Sequence, residues 1–159
     1  MRFLLTTVAA LFAVSAAVAA PSKRSAGTIA APLSGTAISS GEAIAFTYHN
    51  VNQCEAGYTP ISVWLSVDAP ATLKAGGGLD DYVDFFGNYL IGNFGLPPLS
   101  GSAPPPPSTL TMPDLSSYAS GTALYFTVVE TTAAHSCPPE GIVPATDVYI
   151  FSTTAVTVA

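Results

Sequence analysis

An all-β domain of about seven strands is the fold class this sequence predicts, and three observations lead there. Helix-type periodicity is scarce; β-branched and aromatic residues recur in short runs; and Gly, Pro, Ser and Asn separate those runs. Runs of that length and spacing suit a Greek-key β-sandwich of the immunoglobulin or fibronectin type, here carrying one aromatic, proline-rich insertion.

The first strand is expected from Thr28 to Ala31, stopped by Pro32, which has no N–H to give to a ladder. Turn-rich Ser34-Gly35 and Ser39-Ser40-Gly41 lead into a second strand, Ala43 to His49, with Ile44, Phe46 and Tyr48 on one face by the period of two. Ile61 to Val67 alternates more cleanly: Ile61, Val63, Leu65 and Val67 fall on one face, Ser62, Trp64 and Ser66 on the other. That pattern predicts a central strand. Thr109 to Met112, ahead of Pro113, reads as a short edge strand, and Ala123 to Glu130 and Asp147 to Ser152, continuing through Val158, supply the remaining large runs.

The segment from Asp68 to Ser108 differs in character, with Gly76-Gly77-Gly78, then an aromatic block, then Pro104 to Pro107. It is predicted to lie over the sandwich as an insertion. Leu79, Tyr82, Val83 and Phe86 have the spacing of a short amphipathic helix, Tyr89-Leu90-Ile91 reads as extended, and the proline run predicts a stiff polyproline II connector.

The chain begins with Arg2 and an apolar run from Phe3 to Ala20 that ends in the small residues Ala16-Ala17-Val18-Ala19-Ala20. This pattern predicts a secretory signal peptide, residues 1–19, in preference to an uncleaved anchor. Lys23-Arg24 then makes residues 20–24 either a short propeptide with a dibasic processing site or a plain basic doublet; residues 25–159 form the single domain. After both cuts Lys74 is the one Lys or Arg left against ten Asp and Glu, a formal charge of −9. Phosphate recognition needs clustered Lys and Arg, so nucleic acid and anionic membrane surfaces are disfavoured as partners. The expected product is extracellular, monomeric and off the membrane once the signal is removed. None of its Asn residues sits in a glycosylation sequon.

Cys54 follows the second strand and Cys137 the penultimate one. In an immunoglobulin-like topology these are two loops at the same end of the sandwich, and an oxidising compartment predicts a disulfide between them. Closing a loop of about 80 residues is worth roughly 4 kcal/mol in the chain-entropy model. His49 and His135 flank those cysteines and are the weak metal candidates; a third ligand would have to be Glu55 or Glu140, and solvated loop histidines are the commoner case, so no metal site is assigned. Asp80, Asp81 and Asp84 lack the Gly and bidentate Glu of a calcium loop and read as solvated acids at a helix start. No nucleophile elbow and no glycosidase-type Glu pair occurs, so the sequence predicts no catalytic residue, no cofactor and no enzyme.

One feature points to binding. Trp64 projects away from the apolar row of its strand, and Tyr125 with Tyr149 or Phe151 can share that outer face if their strands are neighbours. Such a face either is an exposed aromatic strip for sugar rings or a protein partner, or is the seat on which the Leu79 to Phe94 insertion packs.

The leader, Ile29-Ala30-Ala31-Pro32, Ser40-Gly41-Glu42, Gly87-Asn88-Tyr89-Leu90, Asn93-Phe94-Gly95 and the valine-rich final strand together resemble the fungal Nis1 family of small secreted proteins across nearly all of the mature chain. The opening also resembles the immunoglobulin-like domain of Kre9/Knh1-type fungal cell-wall proteins. The first resemblance implies a secreted effector that modulates plant immune signalling through host receptor kinases. The second implies a domain that binds cell-wall polysaccharide. The Cys54 and Cys137 pair and the proline insertion depart from the Nis1 pattern.

Overall fold

The computed structural model describes residues 26–52, 56–133 and 147–159. The predicted signal peptide, the dibasic pair, Cys54, Cys137, His135, Glu55 and Glu140 lie outside the described residues, as does the expected disulfide.

The protein is all-β, as its patterning predicts. Nine strands occur among the described residues: β1 Thr28–Ala31, β2 Thr36–Ile38, β3 Ala43–Ala45, β4 Thr47–His49, β5 Tyr58–Ser66, β6 Asp84–Gly92, β7 Thr109–Thr111, β8 Ala123–Ala133 and β9 Asp147–Val158. The largest sheet has the order β2-β9-β8-β5-β6. Its pairings are antiparallel except β2 with β9, which is parallel. Two antiparallel ladders, β1-β4 and β3-β7, lie apart from it.

Period-two alternation sends Ile61, Val63 and Leu65 of β5 and Leu124, Phe126 and Val128 of β8 to one face, where they are buried. Ile44, Phe46, Leu110, Met112 and Leu115, from and beside the small ladders, join them in one core. Phe126 lies at its centre, with ring centroids 5.8 Å from Phe46 and 5.3 Å from Phe86.

The run Ala43 to His49 is one strand by pattern and two in space. Phe46 is buried at the break and its N–H donates to Ser108 O at 2.9 Å. Before it the chain pairs with β7, after it with β1. β2 lacks the length to announce itself: three residues gain a partner only by lying beside the end of the chain, and Ile38 is fully buried there.

The helix expected around Leu79 to Phe86 does not form. Asp84–Gly92 is strand β6 along the edge of the sheet, and the insertion is thus partly integral to the fold. The ladder to β5 offers its backbone repeated long-range hydrogen bonds, which a single turn of marginal amphipathic helix cannot match. A register shift between Val63 and Trp64 makes Phe86 the extra, bulged residue, so that Phe85 rather than Phe86 faces Trp64. The proline run lies outside the helices and strands, and Pro104 O accepts from Leu90 N–H at 2.9 Å, capping part of the free edge of β6.

Candidate functional site

The outer face of the main sheet, opposite the core, carries the aromatic residues singled out from sequence. Ladder register puts Trp64 opposite Thr127, Tyr125 opposite Ser66, Phe151 opposite Val129 and Tyr149 opposite Thr131. All four therefore share that face, and all four are half-buried. They do not form one strip. Tyr125 and the Thr131–Tyr149 pair are six residues apart along β8, about 20 Å at 3.3 Å per residue.

What meets Trp64 comes instead from the insertion. The Phe85 ring lies 4.2 Å away between centroids, tilted by 31°, and the Tyr82 ring stands edge-on at 5.0 Å. The indole N–H donates to Ser62 Oγ at 2.8 Å, so its one polar group is satisfied and its orientation fixed. Tyr82 and Phe85 remain 52% and 38% exposed. The insertion thus covers Trp64 and becomes the exposed aromatic surface in its place. Sequence reasoning missed Tyr82 and Phe85 because it assigned that stretch to a helix; a strand reading of Asp84–Gly92 places Phe85 outward.

Nearer β9 the glycine-rich loop folds down onto the same face. Gly77 has φ +80° and sits so close to the Tyr149 ring that no Cβ fits between them. Leu79 and Val129 are buried outside the main core, which shows how closely this loop region and the outer face are covered.

A second cluster lies inside the fold and was not anticipated. Glu130 falls on the inner face of β8, opposite Ile61 and Ile150, and is completely buried. Its Oε2 accepts from the Tyr48 hydroxyl at 2.9 Å, while Oε1 has no hydrogen-bond partner among the described residues. Burial raises its pKa above the ordinary value; the Tyr48 hydrogen bond and the nearby main-chain amides of Val51, Asn52 and Gly27 act in the opposite direction and only partly offset it. The Tyr48 hydroxyl is pushed upward too, first by burial and then by the carboxylate's charge. Gly27 is required here, since a Cβ would come within 2.5 Å of the Tyr48 hydroxyl oxygen.

Next to this pair, Asn93 Nδ2 donates to Ala56 O at 2.7 Å and to Thr59 Oγ1 at 3.0 Å, while Asn50 Nδ2 reaches Thr59 Oγ1 at 2.8 Å and Asn93 Oδ1 at 3.0 Å. These bonds tie the start of β5, the end of β6 and the chain after β4 into one polar seam. A fully buried carboxylate offers no surface to a substrate, so the seam acts on stability and on holding Asn50 and Ala56 in place. The alternating apolar pattern hides Glu130, whose burial only the folded neighbours decide.

His49 is exposed on β4 and His135 lies outside the described residues. Among the described residues no three His, Cys, Asp or Glu side chains are grouped to hold a metal. Asp80 pairs with Lys74 at 2.8 Å rather than starting a helix. No helix among the described residues is long and apolar enough to cross a membrane. No protein-family model matches the chain, and neither a curated protein nor a solved structure matches it.

Proposed function

We propose that this chain is a secreted, non-enzymatic interaction protein of the effector type, which docks on a host protein through the aromatic cluster Trp64, Tyr82 and Phe85. The exposed cluster carries this reading. Its rings are held by mutual stacking and by the Trp64–Ser62 hydrogen bond, so little rotamer entropy remains to be lost on contact. Preorganised aromatic groups of this kind are the usual anchors of protein interfaces. Asp80 and Asp81 precede Tyr82, and Asp84 precedes Phe85, so the apolar patch has an acidic border that suits a partner with basic groups around an apolar pocket. A host receptor kinase that governs immune signalling is the partner class in view. The immunoglobulin- or fibronectin-like Greek-key reading of the architecture belongs to this proposal as well. Its support is a single core with the five-stranded sheet on one side and strands from the two short ladders contributing to it.

The test is expression of the secreted protein in leaves, read by the flagellin-triggered oxidative burst, together with direct binding to receptor kinases. The wild type should damp the burst, and a Trp64→Ala, Phe85→Ala double variant of unchanged circular dichroism should not. An unaltered burst across several hosts would count decisively against the proposal.

A further inference from the structure

We propose that the turn beyond β6, residues 94–99, is a membrane-docking tip that enters the interfacial zone of an uncharged, zwitterionic lipid bilayer. The inference goes beyond the function proposed above and does not depend on it, since Phe85 and the tip lie at opposite ends of β6, roughly 20 Å apart at 3.3 Å per residue. The six residues read Phe-Gly-Leu-Pro-Pro-Leu, and every one of them is exposed. Phe94 is 73% exposed, more than any other large apolar side chain among the described residues.

The fold builds the tip and holds it in place. Asn93, just before it, is buried and carries side-chain bonds to Ala56, Thr59 and Asn50, and its own N–H donates to Gly57 O at 2.9 Å. Leu96 N–H turns back to Asn93 O at 3.0 Å, and the Tyr58 hydroxyl donates to Pro97 O at 2.8 Å. Gly92 lets the turn close, because a Cβ there would come within 2.5 Å of Leu96 O. Between these anchors Phe94 has φ +57° and ψ +25°, the left-handed region that a bulky side chain rarely occupies. A ring so exposed gains little packing in return for that strain, so the conformation serves display of the ring and not the core.

The chemistry of the tip selects lipid over a protein pocket. Protein interfaces fix their register with about one hydrogen bond per 100–200 Å², and none of the six side chains has a polar atom to supply one. Pro97 and Pro98 have no N–H and the Leu96 N–H is already bonded, so three of the six positions present no free main-chain donor. This lowers the cost of leaving water for a medium that offers few hydrogen bonds. Charge selects the kind of bilayer. No residue from Phe85 to Pro113 is charged, in a chain of formal charge −6. Among the described residues the main sheet brings one acid to this end, Asp147 at the start of β9, three strands from β6 and about 14 Å away at 4.8 Å per strand. An anionic leaflet repels such a protein, whereas a neutral one leaves apolar burial of Phe94, Leu96 and Leu99 unopposed.

Flotation of the secreted protein, its leader removed, with phosphatidylcholine vesicles tests this. The bound fraction should rise with lipid, at an affinity below that of a single acyl chain, about 10⁴ M⁻¹. Replacing about a third of the lipid by phosphatidylserine should reduce it. Phe94→Gly should weaken binding about tenfold, equivalent to about 1.4 kcal/mol. Its urea midpoint should be unchanged or raised, since glycine accepts the left-handed conformation. Leu99→Ser, which leaves the strained residue alone, should weaken binding about fivefold, equivalent to about 1 kcal/mol. No flotation with phosphatidylcholine up to about 10 mM lipid, about two decades weaker than one acyl chain, would overturn the inference. Full binding by both variants would sink it as well, by moving the contact to another surface. A Phe94→Gly variant that loses stability along with binding refutes it by making Phe94 part of the core. Stronger binding to the phosphatidylserine vesicles also tells against it, because electrostatic attraction would then replace apolar insertion.

Discussion

Replacing Glu130 by Gln should stabilise the fold at neutral pH and remove a specific part of its pH dependence. The wild-type carboxyl is completely buried, with one oxygen bonded to Tyr48 and the other unpaired among the described residues. Because burial raises its pKa in the folded state above the ordinary 4.5, the folded chain binds this proton more tightly than the unfolded chain does. Stability from this group is therefore fully present below about pH 4.5 and is lost as pH rises through the raised folded-state value. An unpaired buried oxygen costs about 1–3 kcal/mol, and the wild type should lose that much between pH 4.5 and 8. Gln keeps an acceptor for Tyr48 and cannot ionise. Urea unfolding of both proteins across that range should give curves that coincide near pH 4.5 and separate above it, with a constant m-value. Repulsion among the other carboxylates changes alike in both proteins, so the difference isolates Glu130. Asp114 does not intrude: the Ser116 N–H, at 2.9 Å, lowers its pKa below the ordinary 3.8, so its contribution is present above 3.8 and lost as pH falls below it. A wild-type stability that stays flat or rises from pH 4.5 to 8, or a Gln variant with the wild-type slope, would refute this account of the buried carboxyl.

Four further outcomes follow from the same packing. Tyr48→Phe removes the Tyr48 hydroxyl that donates to Glu130 and should cost about 1.5–3 kcal/mol at pH 8, where the acceptor is charged, and nearer 1 kcal/mol at pH 4.5, measured by the same unfolding series. Asn93→Ala leaves Ala56 O, Thr59 and Asn50 without their shared partner and should cost about 1–3 kcal/mol, with hydrogen exchange quickened around Asn50, Ala56 and Thr59. Phe126→Ala opens a cavity between Phe46 and Phe86 and should cost about 3–5 kcal/mol. Phe85→Ala loses about 0.5–1.5 kcal/mol of ring pairing, and a larger loss would mean that the outer cluster belongs to the core.

Much of the fold was legible because alternation is a local signal. Ile61, Val63 and Leu65 against Ser62, Trp64 and Ser66 specify a strand and both of its faces without any knowledge of neighbours. The same signal let Trp64, Tyr125 and either Tyr149 or Phe151 share one side on the condition that their strands were neighbours. It could not give their spacing, which depends on the offset between strands that are far apart in sequence. Leu79 to Phe86 misled for the opposite reason, since a few apolar residues at helical intervals fit an edge strand with one bulge equally well.

The acidic composition, the secretory-type leader pattern, the strand-rich patterning and the outward direction of Trp64 are properties of the sequence by itself, each arising from residue type or from a repeat a few residues long. Tertiary structure alone decided that Phe85 and Tyr82 pack on Trp64, that Glu130 is sealed beneath Tyr48, and that Gly77 rests on Tyr149. Those three pairings join residues brought together by non-local strand register and loop closure, and a chain's local preferences carry no record of which distant segment will lie beside it.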